Sequence, residues 1–583
     1  MRSRRPARAA GSADPMMTSC DAILVGGGHN GLVAANYLAL AGLKVVVLEA
    51  RHTVGGTCAT EELIPGARFS SCAFVQGTFR PEIVDQLALR DHGLEMYAPE
   101  VQGFAIFEDG SHVFLWKDVD KTLRGLERIS PQDARGFIAF GARLRRFGEL
   151  MKPFQFRTDP PTRSEVLRAF EEAGETELFN EFVLASTRAL LEKYFSSDHI
   201  KGFLSFYGMV SIWAGPDTPE SAYLYGYHAT GEFEQTTGRW AFVKGGMGGI
   251  TQALARGAAA RGVDIRVGAP VSEILVEGGH ACGVRLESGE MLRAGIVVSN
   301  AHPKLTFMKL LRPEHLDTKF RTAVERIDTK GAMARVHLLT DRLPHYVGFD
   351  SAEEGWQHRG HALLGGSIGA LQEAYEAQLR GVFPDRLVVE LIIQSVSDPT
   401  LAPPGLHTIT LGVQHTPFEL AQGDWDSHKQ EWTDRVCEAV FRYAPNLRGH
   451  ILGRHTITPL DLQRDYHLVG GNIFHVPMTL EYAFDARPSH ATGGYRTPLD
   501  GLYLCGAGTH PGGAVTGMPG RNAAHAVLAD LAGGNTEAQS DRQPSARGFL
   551  THLLDTDLGA RVGYQVARNP LFRPLTRYFA RNR

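Results

Sequence analysis

Gly26-Gly27-Gly28-His29-Asn30-Gly31 lies between the apolar run Ala22-Ile23-Leu24-Val25 and an Ala- and Leu-rich stretch over 32–41, and this arrangement constrains the fold more than any other feature of the chain. A short all-apolar run reads as a strand buried on both faces of a parallel sheet. The stretch that follows reads as a helix, with Gly42 placed to stop it. Val45-Val46-Val47-Leu48 is then a second buried strand, closed by Glu49. Strand, Gly-rich turn, helix and strand ending in an acid, at this spacing, are the parts of a dinucleotide-binding unit. Gly26 allows the tight turn, Gly28 lets the backbone reach a pyrophosphate, and Gly31 lets helix and strand pack closely. The pyrophosphate belongs on the helix N-terminus, where unpaired N–H groups and the dipole favour negative charge. The Glu49 carboxylate accepts from a ribose hydroxyl and would repel a 2′-phosphate.

The site continues through Glu49-Ala50-Arg51-His52-Thr53-Val54-Gly55-Gly56. A nicotinamide dinucleotide needs no Gly pair beyond the second strand, whereas the longer FAD continues past it. Arg51 is a candidate for placing charge near ribose or phosphates, set against a plain surface role. The 65 glycines suit a backbone that approaches a cofactor closely in several places.

Further along, 91–227 reads as mostly helical. A Gly-rich segment at 245–249 precedes a helix over 250–261, and strands follow at 264–267, 271–276, 281–286 and 296–298. From about Asp328 to Val413 there are strand-like runs such as 387–396, and 407–411 alternates as a half-buried antiparallel strand does. A helix is expected over 426–443, a short strand over 502–505 and a last helix over 522–531. The fold class is therefore α/β: a discontinuous Rossmann-type FAD-binding domain (19–90, 230–305 and 495–532) with an inserted α+β substrate domain (91–229, mostly helical, and 306–494, a mixed sheet). Residues 1–18 read as a disordered extension, and 533–583 as a linker with a basic amphipathic tail.

The Gly26–Leu32 and Glu49–Gly56 runs, Lys244-Gly245-Gly246-Met247, Gly470-Gly471-Asn472-Ile473-Phe474-His475 and Leu502-Tyr503-Leu504-Cys505-Gly506-Ala507-Gly508-Thr509-His510-Pro511-Gly512-Gly513-Ala514-Val515 resemble the phytoene desaturase and carotenoid isomerase-like branch of the amine oxidase superfamily of flavoproteins. The resemblance spans most of the chain. It implies that Gly506 approaches the ribityl-pyrophosphate and that N–H groups about Gly513 and Val515 face the pyrimidine side of the flavin. It also implies that the Val271 backbone meets the adenine edge. Glycine makes physical sense there, since only a residue without Cβ lets main chain lie flush on a flat ring.

Other chemistries fit less well. Disulfide reductases place a second Cys about five residues after the one following the Gly pair; here Cys58 follows Gly56 but Leu63 stands in that position, so Cys58 reads as a packed residue. No second GxGxxG follows a strand for NAD(P)H. No zinc spacing and no Gly-x-Ser-x-Gly is present, and no metal is expected. His510 is the one candidate for moving a proton or polarising a substrate, with a structural hydrogen-bonding role as its alternative. Tyr227, Trp240 and Phe242 are aromatic candidates for a pocket, with core packing the default.

The net charge of −4 points away from nucleic acid. Six scattered cysteines favour a reducing compartment. No apolar run reaches transmembrane length, and no secretory signal is expected. The Arg-rich start reads either as a targeting peptide or as a disordered lead-in before Met16 or Met17; by resemblance the compartment is the cytoplasm of a bacterium or the mitochondrial matrix of a eukaryote. The stretch 547–583, with seven Arg against two acids, suits either a membrane-surface or protein contact or packing on the body. The expected protein is an oxidoreductase holding FAD non-covalently. It would take a hydride from a C–H of an apolar or amphipathic small molecule and pass electrons to oxygen or a quinone-like acceptor. A redox-neutral isomerase using reduced flavin and a flavin-bound regulatory protein are the alternatives.

Overall fold

In the computed structural model, which describes residues 18–331 and 333–533, a parallel sheet gathers segments from the two ends of the chain. Its order is Asp264–Arg266, Val45–Leu48, Ala22–Val25, Ile296–Ser299 and Leu502–Leu504, every neighbour parallel. The strands Ala22–Val25, Val45–Leu48 and Ile296–Ser299 are buried at every position, as apolar strands covered on both faces must be. Helices His29–Leu40, Gly248–Ala260 and Met518–Leu531 pack on one face through Leu32, Leu254 and Val527. The other face is covered by a four-stranded sheet that includes Val271–Glu277 and His280–Leu286, and by helices Pro303–Met308 and Thr318–Glu325. The helix His29–Leu40 ends at Gly42, whose φ of +90° reverses the chain.

A second, seven-stranded sheet runs in the order Ile451–Ile457, Met333–Thr340, His407–Gln414, Val389–Ile392, His361–Leu364, Val101–Ile106 and His112–Trp116. All its neighbours are antiparallel except His361–Leu364 with Val101–Ile106. Trp432, Val436 and Val440 of the helix Trp425–Tyr443 cover one face. A helical layer, chiefly Pro131–Gln155, Asp198–Met209 and Ala222–Ala229, forms a separate aromatic-rich core.

The structure corrects two expectations. The stretch 91–227 is helical only from Val119, because Val101–Ile106 and His112–Trp116 are strands of the large sheet. Val101–Ile106 pairs with His361–Leu364, some 250 residues away and beyond the reach of a local pattern, and His112–Trp116 lies antiparallel beside it at the sheet edge. The strand His407–Gln414 is antiparallel but not half-buried: it is buried at all positions except the first. Its polar side faces a buried polar layer, where Thr410 meets His337 and Gln414 accepts from the Ser211 N–H at 2.7 Å.

The chain divides into two compact units, the first ending at Leu528 and the second comprising Ala529–Arg583. Of the second unit, 529–533 are described and carry the end of the helix Met518–Leu531. The expected N-terminal extension and basic tail lie outside the described residues. Among those residues no helix is long and apolar enough to cross a membrane.

Candidate flavin site

The Gly-rich turn leaves the first turn of the His29–Leu40 helix without any side-chain cap, so its N–H groups remain available to a ligand. Two glycines are dictated by space. A Cβ on Gly28 would lie 2.8 Å from Asn300 Nδ2, and one on Gly31 would collide with the Gly26 carbonyl. Asn300, just past the strand Ile296–Ser299, fastens the turn by donating Nδ2 to the Gly26 carbonyl at 3.3 Å and its own N–H to Val25 at 2.8 Å.

Glu49 is 6% exposed. Its carboxylate accepts from the N–H of Gly27 and of Arg51, each at 2.8 Å. Ionised, it offers about four lone-pair sites, so two remain for hydroxyl donors. Gly55 donates its N–H to the Gly27 carbonyl at 2.9 Å, which ties the Gly pair to the fingerprint turn.

These elements enclose a cavity of about 820 Å³, within the range of ligand-binding clefts. Of the predicted site residues, Gly26, Gly28, Glu49, Ala50, Arg51, Gly55, Gly56 and Val271 line it. Gly31 instead lies beneath the turn. Gly506, Gly513 and Val515 are not among the lining residues, although Ala507 is. The absence of a Cβ on Gly506 makes room for the Asn300 carbonyl and the His475 ring. Gly513 accepts the Tyr227 hydroxyl at 2.8 Å, and Val515 accepts the Thr78 hydroxyl at 3.3 Å.

Arg51 lines the cavity but is not free to swing toward a phosphate. Its Nη2 is paired with Glu61 at 2.6 Å, and its guanidinium stacks 4.3 Å from the Tyr466 ring centroid. Glu61 also accepts from Tyr466 at 2.9 Å and from Ser71. The Nη1 of Arg51 is buried with no protein partner.

His510 falls on the structural side of its two readings. It is absent from the cavity lining, and its Nε2 meets the Phe154 carbonyl at 2.8 Å. Burial lowers its pKa to about 4, so the ring is neutral near pH 7 and held to the helix Pro131–Gln155. Cys58 is fully buried, with its thiol toward the Met247 carbonyl at 3.4 Å and its pKa pushed up to about 12 by burial. Cys72, the nearest cysteine electrostatically, packs in a different core cluster. Such thiols are inert packing residues. Tyr227 is buried in the helical core, Phe242 packs with Phe74, and Trp240 lies against Gly77 and the Tyr207 and His228 rings.

Four cavity-wall histidines were given no role by the sequence reading: His29, His302, His467 and His475. Burial brings His29 to about 4 and His302 to about 3. His475 is driven well below 6.5, first by burial and then by His302, Arg487 and His29. The sequence signals were the place of His29 within the Gly26–Gly31 motif and that of His475 in the Gly470–His475 segment.

A second polar cluster lies on the large sheet. Glu390 pairs with Arg335 at 3.2 Å and with His361 Nε2, all three nearly sealed from solvent. Arg335 also stacks 3.8 Å from the Phe74 ring centroid and donates Nε to the Cys72 carbonyl at 3.1 Å. The cluster therefore joins the sheet to the segment that leaves the Gly55–Gly56 turn.

The model of the flavin-containing amine oxidoreductase family matches residues 31–528. The chain belongs to this family, and with it to the FAD-binding α/β fold and the flavin-dependent oxidoreductases. It is 35% identical over 544 residues to the mouse (Mus musculus) pyridine nucleotide-disulfide oxidoreductase domain-containing protein 2, covering 88% of this chain and 94% of the mouse protein. It is 26% identical to a neurosporene-forming phytoene desaturase of Cereibacter sphaeroides, over 92% of this chain and 99% of that enzyme. The expected kinship with phytoene desaturases is thus borne out at a distance. A wild-type putrescine oxidase structure with putrescine bound shares the fold, with a TM-score of 0.54 at 16% identity over 89% of this chain and all of that one.

Proposed function

We propose that the chain binds FAD non-covalently in the Gly26–Glu49–Gly56 cavity and oxidises a C–H bond of an apolar or amphipathic small molecule. The observation that carries this reading is the cavity itself, which brings an uncapped helix N-terminus, the Glu49 carboxylate and the Gly55–Gly56 turn to one wall. The helix N-terminus and Gly28 would hold the pyrophosphate, Glu49 the ribose hydroxyls, and the Val271 backbone the adenine edge. Gly506, Gly513 and Val515 would back the ring end from behind the lining. A bound flavin supplies the acceptor for a hydride from substrate. The chain's own part is to orient both partners and keep water out. Likeness to a phytoene desaturase supports an apolar substrate, and the want of a second nucleotide fingerprint supports oxygen or a quinone-like acceptor. The domain limits given above stand with this proposal.

The test is anaerobic mixing of the purified yellow protein with a panel of polyenes, terpenes and amines while the visible absorption of the oxidised flavin is followed. Bleaching by an apolar hydrocarbon, reversed by air or a quinone, is the expected result. Bleaching by amines alone would overturn the substrate class.

A further inference from the structure

His475 occupies a position that the structure goes to some length to hold. Its φ of +64° lies in the left-handed region, which a residue with a Cβ adopts only when its surroundings impose it. The surroundings are fixed donors. Arg487, 1% exposed, gives Nη2 to the Phe474 carbonyl at 2.8 Å and to the Val476 carbonyl at 3.0 Å. His302 gives Nε2 to the carbonyl of His475 itself at 2.7 Å. Its tautomer is set because Nδ1 accepts the Lys304 N–H at 3.0 Å. The His475 N–H donates to Asn472 at 3.0 Å, and Asn472 is anchored to the Lys330 carbonyl at 2.9 Å. Three successive carbonyls are thus bound by buried side chains from outside their own segment.

All this fixation serves one imidazole on the cavity wall. Room for the ring comes from glycine: a Cβ on Gly506 would lie 3.2 Å from His475 Cε1, and one on Gly508 would lie 3.5 Å from its Cβ. The ring's Nδ1 is shut off from solvent and has no hydrogen-bond partner. A ring so placed, among Arg487, His302 and His29, stays neutral, and with Nδ1 shut off it has Nε2 left to offer a ligand.

We propose that His475 contacts the flavin directly, as a hydrogen-bonding imidazole presented from a clamped backbone. The proposal rests on the FAD reading above and adds a contact residue to it. His475 orients and polarises the bound ring system, and Arg487 and His302 act through it as positioning residues.

The experiment strips FAD from wild type, His475→Asn and His475→Ala, then titrates FAD back and records the visible spectrum and the relative affinity for oxidised and reduced flavin. Asn tolerates the left-handed region, so that variant keeps the fold even if Ala does not, and melting of the apo-proteins checks this. Expected are a tenfold or greater loss of FAD affinity, displaced flavin absorption bands and a tenfold or greater change in the oxidised-to-reduced affinity ratio. A folded His475→Asn protein with wild-type affinity, spectrum and ratio would overturn the proposal and leave the FAD reading standing. A wild-type protein that binds no FAD would instead remove the reading on which it rests.

Discussion

Glu49 has two duties at once. It holds the N–H groups of Gly27 and Arg51, and in the proposed site its remaining lone pairs accept from a ribose. Glu49→Ala removes both, and a hydrogen bond to a charged group contributes roughly 1.5–3 kcal/mol. FAD affinity measured by titration into apo-protein should therefore fall at least tenfold. The two N–H groups left without their acceptor should lower stability as well, by about 1–3 kcal/mol. Unchanged affinity in a folded variant would mean that the fingerprint has been misassigned. The residues of this turn were legible in the sequence because each answers to a neighbour within one βαβ unit. Arg51 shows where that reading stops: its partner Glu61 and its stacking partner Tyr466 come from a hairpin and from a helix end more than 400 residues on. His475 was visible only as one member of a Gly-rich segment. Its value comes from Arg487, His302 and Gly506, which are ordinary residues until the chain has folded.

Among the elements, the large sheet depends on a buried ion cluster. Arg335 and Glu390 are each 4% exposed, and Gly412 leaves the space that the pair fills. A buried pair adds little over apolar residues, but breaking one strands a charge and costs about 3–5 kcal/mol. Arg335→Met should lower the unfolding free energy by that amount in urea titration, while Arg335→Met with Glu390→Leu should recover much of it. Equal losses in the single and double variants would contradict this account. The elements legible in the sequence were those with a local signature, namely buried apolar runs bounded by glycine and amphipathic helices such as Trp425–Tyr443. Val101–Ile106 and His112–Trp116 were missed because a strand is stabilised by its neighbours: they pair with each other, and Val101–Ile106 joins the sheet through His361–Leu364 across a long excursion of chain. The alternation in His407–Gln414 marked a strand correctly, but it could not tell a polar face toward water from one toward Arg335, His337 and Ser211.

For the molecule as a whole, pH dependence follows from histidines buried neutral. His29 and His510 stand at about 4, and His302, His337 and His415 at about 3, all lowered chiefly by burial. Their folded pKa values lie below the unfolded value of about 6.5. The unfolded chain therefore binds more protons between those limits, and the stability present above pH 6.5 is lost as pH falls toward 4. Each histidine contributes up to about 1.4 kcal/mol per pH unit in that window. Urea midpoints should be flat from pH 7 to 8 and should drop steeply between pH 6.5 and 5; a flat profile down to pH 5 would mean that these rings are solvated. The proposal that residues 20–530 hold one molecule of non-covalent FAD is tested most directly by denaturing the purified protein and identifying the released cofactor by mass spectrometry. The account predicts FAD in the supernatant at close to one equivalent and an unmodified polypeptide mass. FMN, flavin that stays on the chain, or no flavin after reconstitution with FAD would contradict it.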